Sequence, residues 1–359
     1  IIGRSVDILI EPGQFKVIGS LEDAGMKVET FIHDVQALVD GQKAYNTKPN
    51  AFGADPYFNN YHPYDEVLQY VEGLAAKYPH LATTITIGKS YQGRDLRVLV
   101  IGANKTTTPV GAWYDGGLHA REWITTPTVL YMTAKLLENY GTDPEVTRLL
   151  DGMIIHVLPV HNPDGVVYTW GGDRMWRKTR APNSGSSCVG TDPNRNWDFH
   201  WGGAGSSSNP CSDSYMGPKA FSSIEVETVA YYIKAQGNIR GYINFHSYSQ
   251  LWMSPWGYTS DLPPDFKKQD GLSAAATAAL KTLYGTTYQH GSIATTIYPA
   301  AGSSADWCYG VANVLYSYGV ELRDTGRYGF LLPPEQIIPS GEETYLALKV
   351  FLQRTLDNV

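Results

Sequence analysis

Ala112-Trp113-Tyr114-Asp115-Gly116-Gly117-Leu118-His119-Ala120-Arg121-Glu122-Trp123 starts as an apolar run, breaks at two glycines, then carries a histidine and a glutamate three positions apart. The apolar triplet reads as a short buried strand, and Asp115-Gly116-Gly117 as its end. From Trp123 to Leu137, apolar residues recur at helical spacing through Ile124, Val129, Tyr131, Met132 and Leu136. The His-Glu pair therefore lies between a strand and the opening of a helix, where open α/β sheets keep their ligand crevice. Two imidazoles and one carboxylate make the usual protein half of a catalytic zinc site, with the fourth position left to water. His246, in Phe245-His246-Ser247-Tyr248, is the candidate that completes the set. A closed structural zinc site draws on cysteines, and this chain has only three.

At 359 residues the chain can hold one large α/β domain and a small extra piece. A composition of 43% hydrophobic and 18% charged residues suits a folded enzyme and argues against disorder. The formal net charge of −7, with no long basic run, speaks against nucleic acid as a partner. No apolar stretch is long enough to span a bilayer, so no membrane partner is expected. The chain does not open on Met or on a signal peptide.

An amphipathic helix is expected from about Asp65 to Tyr78, with Val67, Tyr70, Val71, Leu74 and Ala75 inward. Thr83–Ile87 and Leu96–Ile101 read as paired strands around Tyr91-Gln92-Gly93-Arg94. Met153–Val160 is a continuous apolar run that fits a strand buried on both faces. His161 to Tyr215 reads as long and irregular, a length that is usually functional. Ser222 is expected to open a helix through a capping box with Glu225. Ile239–Phe245 is a strand that delivers His246 at its end. Asp270–Tyr284 is an Ala-rich helix, Val314–Glu321 a strand and Ser340–Leu356 a closing helix. Mixed hairpin and crossover links predict an α/β fold: a mixed parallel/antiparallel twisted sheet with helices on both faces.

The His119–Trp123 run resembles the zinc-binding signature of the metallocarboxypeptidases of the A/B type. Asn162-Pro163-Asp164-Gly165, Arg174-Met175-Trp176-Arg177-Lys178, Asp192-Pro193-Asn194-Arg195-Asn196-Trp197, His246-Ser247-Tyr248, Ile297-Tyr298 and Glu321-Leu322-Arg323-Asp324-Thr325-Gly326 resemble further blocks of that family, in its order and at nearly its spacing. The resemblance runs from about residue 55 to the C-terminus, and several motifs agreeing at once make it specific.

That resemblance implies one zinc ion per chain on His119, Glu122 and His246. Asp192 matches the carboxylate that accepts from the first zinc histidine, although an Asp before Pro193 is also a common turn residue. Glu321 matches the general base that takes a proton from the zinc-bound water and passes it to the departing amine; the plain alternative is a salt bridge to Arg323. Arg177 matches the arginine that steadies the oxyanion. Arg195, with Asn194 and Tyr298, matches a clamp on a free C-terminal carboxylate, for which a guanidinium offers two parallel donors. Arg121 corresponds to a residue that holds a more distal carbonyl or guides the substrate inward, and Ser247 and Tyr248 to further substrate-binding positions. The floor of the pocket for the last side chain, acidic in B-type relatives, is Ala305 here. Met253, Gly257, Ile297, Ala300, Ser303 and Gly319 are expected to line the rest, an apolar and roomy pocket suited to Phe, Tyr, Trp or Leu; relatives also carry an acid at the position of Asp306, facing elsewhere. The family has one residue fewer before Glu321, so a bulge or a longer loop is expected near Val314–Val320. Cis peptide bonds are implied at Ser247-Tyr248, Pro255-Trp256 and Arg323-Asp324.

Before the resemblance begins, Ser5–Ile10 and Lys27–Ile32 read as strands, Gln14–Gly25 as a helix and Asp34–Val39 as the start of another. The pattern resembles the C-terminal half of the family's inhibitory prosegment, a small α+β fragment. The expected organisation is a partial prosegment over 1–45, an activation connector over 46–57 within the aperiodic stretch Gly41–Tyr57, and the catalytic domain over 58–359. Lys43 is a plausible tryptic-type cut, and Lys48, before Pro49, a poorer one. The implied protein is a secreted, extracellular zymogen, a monomer, with an activating endoprotease and peptide or protein C-termini as partners. Cys188 and Cys211 flank a loop rich in Gly, Ser and Asn that related enzymes staple with a disulfide; Cys308 would then stay free and buried, whereas a cytosolic protein would keep three thiols. The sequon Asn104-Lys105-Thr106 adds weak support for secretion. Two other classes are a binding protein on the same fold, which would lack a ligand, the base or Arg177, and a zinc hydrolase of other amides, against which the Asn194-Arg195 pair and Tyr298 speak.

Overall fold

The computed structural model describes residues 8–46, 55–104 and 110–358. In chain order the elements are α1 (Lys16–Asp23), α2 (Val35–Asn46), α3 (Tyr64–Lys77), β1 (Ala82–Lys89), β2 (Asp95–Ile101), β3 (Gly111–Asp115), α4 (Thr125–Asn139), α5 (Pro144–Gly152), β4 (Ile154–Leu158), α6 (Pro163–Gly171), α7 (Ile224–Gln236), β5 (Ile239–Ser247), β6 (Leu251–Ser254), α8 (Phe266–Tyr284), β7 (Gln289–Ser292), α9 (Ile293–Thr296), α10 (Ser304–Gly310), β8 (Tyr316–Leu322) and α11 (Ile337–Asp357).

The strands form one mixed sheet in the order β1-β2-β4-β3-β5-β8-β6-β7. The centre, β4-β3-β5-β8, is parallel, and antiparallel pairs join it to β2 on one side and to β6 on the other. Central strands β3 and β4 are buried along their whole length, as their unbroken apolar runs require. One sheet face packs on α3, α4, α8 and α11 through residues such as Val71, Met132, Leu280 and Phe351. The other packs on α7 and α10 through Val226, Val229, Ile233 and Trp307. The expected fold class is thus the one observed.

The chain departs from β3 toward β4 on one side and toward β5 on the other, so the sheet has a switch point between β3 and β5. The crevice of such a sheet lies outside the carboxyl ends of those strands. His119 follows β3, and His246 is the next-to-last residue of β5.

Several local expectations need correction. The segment 27–32 forms no strand, and neither do residues 8–10; Ser5–Asp7 lie outside the described residues. A strand exists through its ladder partner, and Val28 and Ile32 reach only partial burial. Among the described residues, the region before Asn46 is two helices without a sheet. Helix α2 opens with the Asp34 carboxylate accepting from Ala37 N (2.9 Å) and runs through Gly41–Asn46, which had read as connector. Lys43 is therefore in the last turn of α2; Lys48-Pro49 and Lys105-Thr106 of the sequon lie outside the described residues. Helix α7 starts at Ile224 without a capping box. The Glu225 carboxylate accepts instead from Ser223 Oγ (2.7 Å) and Tyr91 N (3.0 Å), and Ser222 Oγ takes Asn196 Nδ2 (2.9 Å). The register of β8 on β5 runs without a shift from Gly241↔Tyr316 to Ser247↔Leu322, so the added residue makes no bulge. Asn313, in the turn before β8, has φ 56°. The expected disulfide joins Cys188 and Cys211, and Cys308 is free and buried.

His156, on β4, is a buried histidine that burial pulls down to about 4. Tyr232 OH lies 2.9 Å from Nδ1. The fold binds the neutral ring, so stability should fall as pH drops from about 6.5 toward 4, where the unfolded chain takes up a proton that the folded chain refuses. His156→Gln should shrink the stability difference between pH 7 and pH 4.5 by about 2 kcal/mol. Urea unfolding of both proteins at the two pH values measures it; parallel losses would assign acid sensitivity elsewhere.

Candidate metal centre

Gly116 and Gly117 let the chain leave β3 and turn at once. Gly117 has φ +61°, and a Cβ on Gly116 would meet the Thr125 backbone at 3.1 Å. Thr125 Oγ1 accepts from Gly117 N (2.9 Å) and donates to Glu122 O (2.8 Å). Glu122 N in turn donates to His119 O (3.2 Å). One threonine at the start of α4 thus closes the loop that carries both residues. His246 comes from β5, and the parallel register sets Glu321 of β8 directly beside it. Aligned residues of parallel strands share a face, so both side chains point into the crevice.

His119, Glu122 and His246 bring one ligand atom each to within 4.8 Å of one another, and all three are buried. His119 Nδ1 is 2.8 Å from Glu122 Oε1 and 3.0 Å from His246 Nδ1, which is 3.1 Å from Glu122 Oε2. His119 Nε2 faces Asp192 Oδ1 at 3.2 Å. With that nitrogen donating to the carboxylate, Nδ1 is left as an acceptor against a second carboxylate. Two acceptors at 2.8 Å repel unless a proton or a metal cation lies between them, and a two-histidine, one-carboxylate set suits zinc. Burial pushes the Glu122 carboxyl up, but the two imidazoles outweigh it and hold the group below the usual range.

Asp192 is fully buried and uses both oxygens. Oδ1 also accepts from Asn194 N (2.9 Å), and Oδ2 takes Nε (3.2 Å) and Nη2 (2.9 Å) of Arg177. Burial opposes its charge, but Arg177 and His119 hold it well below the carboxylate range. Arg177 keeps its charge in return: burial disfavours the cation, and Asp192 more than offsets it. Its Nη1 lies 3.8 Å from Glu122 Oε1. The carboxyl of Glu321 is raised well above its ordinary value, first by burial and next by the charge of Glu122. Its Oε2 is buried without a hydrogen-bond partner among the described residues. Arg323 does not neutralise it, because that guanidinium is held by both oxygens of Glu343, by Gln336 Oε1 (2.6 Å) and by Thr286 Oγ1 (3.0 Å).

The zinc carboxypeptidase (M14 peptidase) family model matches residues 67–347. The chain belongs to the zinc carboxypeptidase family. It is 44% identical to carboxypeptidase A2 of Mus musculus over 341 residues, 94% of this chain and 81% of that protein. It is 48% identical to carboxypeptidase B of Astacus astacus over 296 residues, 82% of this chain and 96% of that one. The structure of carboxypeptidase A from Helicoverpa armigera superposes with a TM-score of 0.87 at 29% identity, covering 96% of this chain and 87% of that chain. This chain is accordingly a metallocarboxypeptidase, a zinc exopeptidase, and the His119, Glu122, His246 cluster is its potential metal-binding site.

The other expected positions of this zinc carboxypeptidase are placed as follows. Asn194 stands beside the metal site, with Nδ2 3.4 Å from His246 Nε2 and Oδ1 accepting from Ser304 N (2.9 Å). Arg195 is buried, held by Gly205 O (2.9 Å) and Asn194 O (2.8 Å), with its guanidinium 5.8 Å from the Tyr298 ring. Tyr298 itself is 44% exposed. Ser247 N lies 3.3 Å from Glu122 Oε2, and its buried hydroxyl has no partner among the described residues. The Tyr248 ring packs edge-on against Phe330 at 5.0 Å. Arg121 is tied to Asp213 (2.9 Å) and Met175 O (3.2 Å) over the Phe330 ring. The peptide bonds Ser247-Tyr248, Pro255-Trp256 and Arg323-Asp324 are cis.

Of the pocket positions, Met253, Ala300, Ala305 and Ile297 pack together, joined by Leu251 and Ile293, which sequence reasoning missed. The two additions carry no motif; their spacing from named residues was the available signal. Asp306 turns its carboxyl away from that apolar group onto Gly257 N (2.8 Å) and Tyr258 N (3.0 Å). Removing the partner of His119 tests the build of the site. Asp192→Ala should weaken zinc binding about 10- to 100-fold in chelator competition. Unchanged zinc affinity would make Asp192 a turn residue only.

Proposed function

We propose that this enzyme removes bulky apolar or aromatic residues from the C-termini of peptides and proteins, with Glu321 as general base and Arg177 as the oxyanion donor. The observation that carries the specificity is the pocket floor. Ala305 is small and uncharged, Asp306 is spent on backbone amides, and the space where a side chain of Gly319 would stand is open within 4 Å although Gly319 is buried. A buried apolar space without a counter-charge favours a Phe, Tyr, Trp or Leu side chain over Lys or Arg. Ala305→Asp should reverse that order by supplying the missing charge. A panel of blocked dipeptides differing in the last residue checks both proteins; a wild type that prefers Lys or Arg would overturn the apolar reading.

Bound at His119, Glu122 and His246, zinc would supply a Lewis acid for the scissile carbonyl and lower the pKa of a coordinated water. Glu321 accepts a proton from the attacking water through Oε2 and delivers it to the departing amine. Burial and the charge of Glu122 raise its carboxyl above the ordinary glutamate value, so it holds a transferred proton more firmly than an exposed glutamate would. Arg177 has two nitrogens fixed on Asp192, which leaves Nη1 for the oxygen on which charge develops. Arg195 and Asn194, braced by Gly205 O and Ser304 N, are positioned to hold the terminal carboxylate beside Tyr298. Arg121, Ser247 and Tyr248 meet residues further up the substrate. Glu321→Gln should lower kcat by about 10²–10⁴ with zinc content and KM nearly intact. Near-normal turnover would reassign the base.

We further propose a secreted, monomeric zymogen whose residues 1–45 act as a prosegment, with 46–57 as connector and 58–359 as catalytic domain. Support comes from the mouth of the site: a Cβ on Gly326 would lie 3.9 Å from both the Phe31 and the Tyr248 rings, so the segment after α1 reaches the crevice wall. An endoprotease acting between about residues 42 and 58 would release it. Limited trypsin should raise turnover of peptides more than of small blocked dipeptides, with the new N-terminus located by mass. Equal turnover before and after the cut would remove the inhibitory role.

A further inference from the structure

Arg174 is a buried guanidinium outside the catalytic roles assigned above. Each of its three nitrogens is committed to a different segment. Nη1 donates to Arg121 O (2.8 Å), a carbonyl inside the His119–Glu122 loop. Nη2 donates to Phe330 O (2.7 Å), on the segment that follows Glu321 and packs on Tyr248. Nε donates to Gln42 Oε1 (2.9 Å), on helix α2. The guanidinium plane lies over the Trp123 ring, 3.8 Å from its centroid, so the residue next to Glu122 is held as well. Gln42 is itself buried, and its Nε2 donates to Leu332 O (3.1 Å), two residues beyond the Phe330 carbonyl.

A planar cation with rigidly spaced donors fixes three acceptors at once, which a flexible lysine cannot do. A buried guanidinium that loses one acceptor keeps the full cost of that unpaired donor, so the three contacts stand or fall together. The metal loop, the segment behind the general base and helix α2 therefore share one anchor.

We propose that Arg174 is a positioning residue for the metal site, and that Gln42 completes its shell so that helix α2 is coupled to the zinc loop through one side chain. The inference rests on zinc binding at His119, Glu122 and His246, and it does not depend on the prosegment being inhibitory. Arg121 O lies one residue from Glu122 along the chain, so loosening it widens the spread of ligand positions without removing a ligand.

The full chain is titrated with zinc alone against a competing chelator, as wild type, Arg174→Lys and Gln42→Leu, with Tm recorded in parallel. Arg174→Lys should bind zinc about 10-fold more weakly, as expected when support behind a metal ligand is lost. Gln42→Leu should weaken it roughly threefold, the scale of one hydrogen bond. For Arg174→Lys, kcat on a blocked dipeptide should fall with KM little changed. If both bind zinc within twofold of wild type while Tm drops, Arg174 is a packing residue and the proposal is overturned. If Arg174→Lys does not fold, Gln42→Leu decides by the same criterion. A wild type that binds no zinc would instead remove the metal assignment on which the inference rests.

Discussion

The carboxylate of Asp192 is the joint on which the site depends. One oxygen takes His119 Nε2 and the amide of Asn194; the other takes two donors of Arg177. A single buried charge therefore orients a metal ligand, fixes the cation proposed to meet the oxyanion, and sets the turn that carries Asn194 and Arg195. Asp192 is fully buried, so no solvent screens its charge. Burying a lone carboxylate is costly, and the cost is offset chiefly by Arg177, buried against it with two bonds, and by His119 on its other oxygen. Breaking this pair would leave two uncompensated charges at the bottom of the crevice.

The sheet supplies the second constraint. Parallel pairing of β5 with β8 puts His246 and Glu321 side by side, and pairing of β3 with β5 puts the loop after Asp115 across from them. A shift of one residue in either pairing would turn the affected side chain to the opposite sheet face. Register is pinned by the apolar alternation of β8, whose Tyr316, Tyr318, Val320 and Leu322 pack into the core shared with α8 and α11. Core packing far from the crevice thus decides that Ser317, Gly319 and Glu321 look toward pocket and metal.

Much of this was legible in the chain because the informative features are local. Gly116-Gly117 marks the break after β3, and the apolar run at 153–160 marks a central strand. The order of the short motifs pointed to the residues that the fold brings together. What escaped was set by tertiary partners or by caps that went unused. Helices α5 and α6 begin with Asp143-Pro144 and Asn162-Pro163, a side-chain cap followed by proline in the first turn, and the structure shows both caps made. Strands β6 and β7 have four residues each, too short for any period to register. The segment 27–32 alternated like a strand but lacks a ladder partner. Arg174 lay in plain view between two assigned motifs; its three acceptors come from positions 42, 121 and 330, and no local pattern announces such a meeting.

Glu122 and Glu321 show how the same burial yields opposite chemistry. Desolvation pushes both carboxyls up. Glu122 faces His119 and His246, whose attraction prevails and keeps it ionised, as a metal ligand must be. Glu321 faces Glu122, and repulsion adds to desolvation, so it binds a proton more tightly than an exposed glutamate would. Two carboxyls whose environments push them apart suit the separate tasks of ligand and base proposed for them. That division needs Arg323 to stay away from Glu321, since an adjacent guanidinium would pull the second carboxyl down toward the first. Glu343 on α11 takes both oxygens' worth of that guanidinium, with Gln336 and Thr286 receiving its remaining donors. The closing helix thus keeps the Arg323 charge off Glu321, the carboxyl proposed as base.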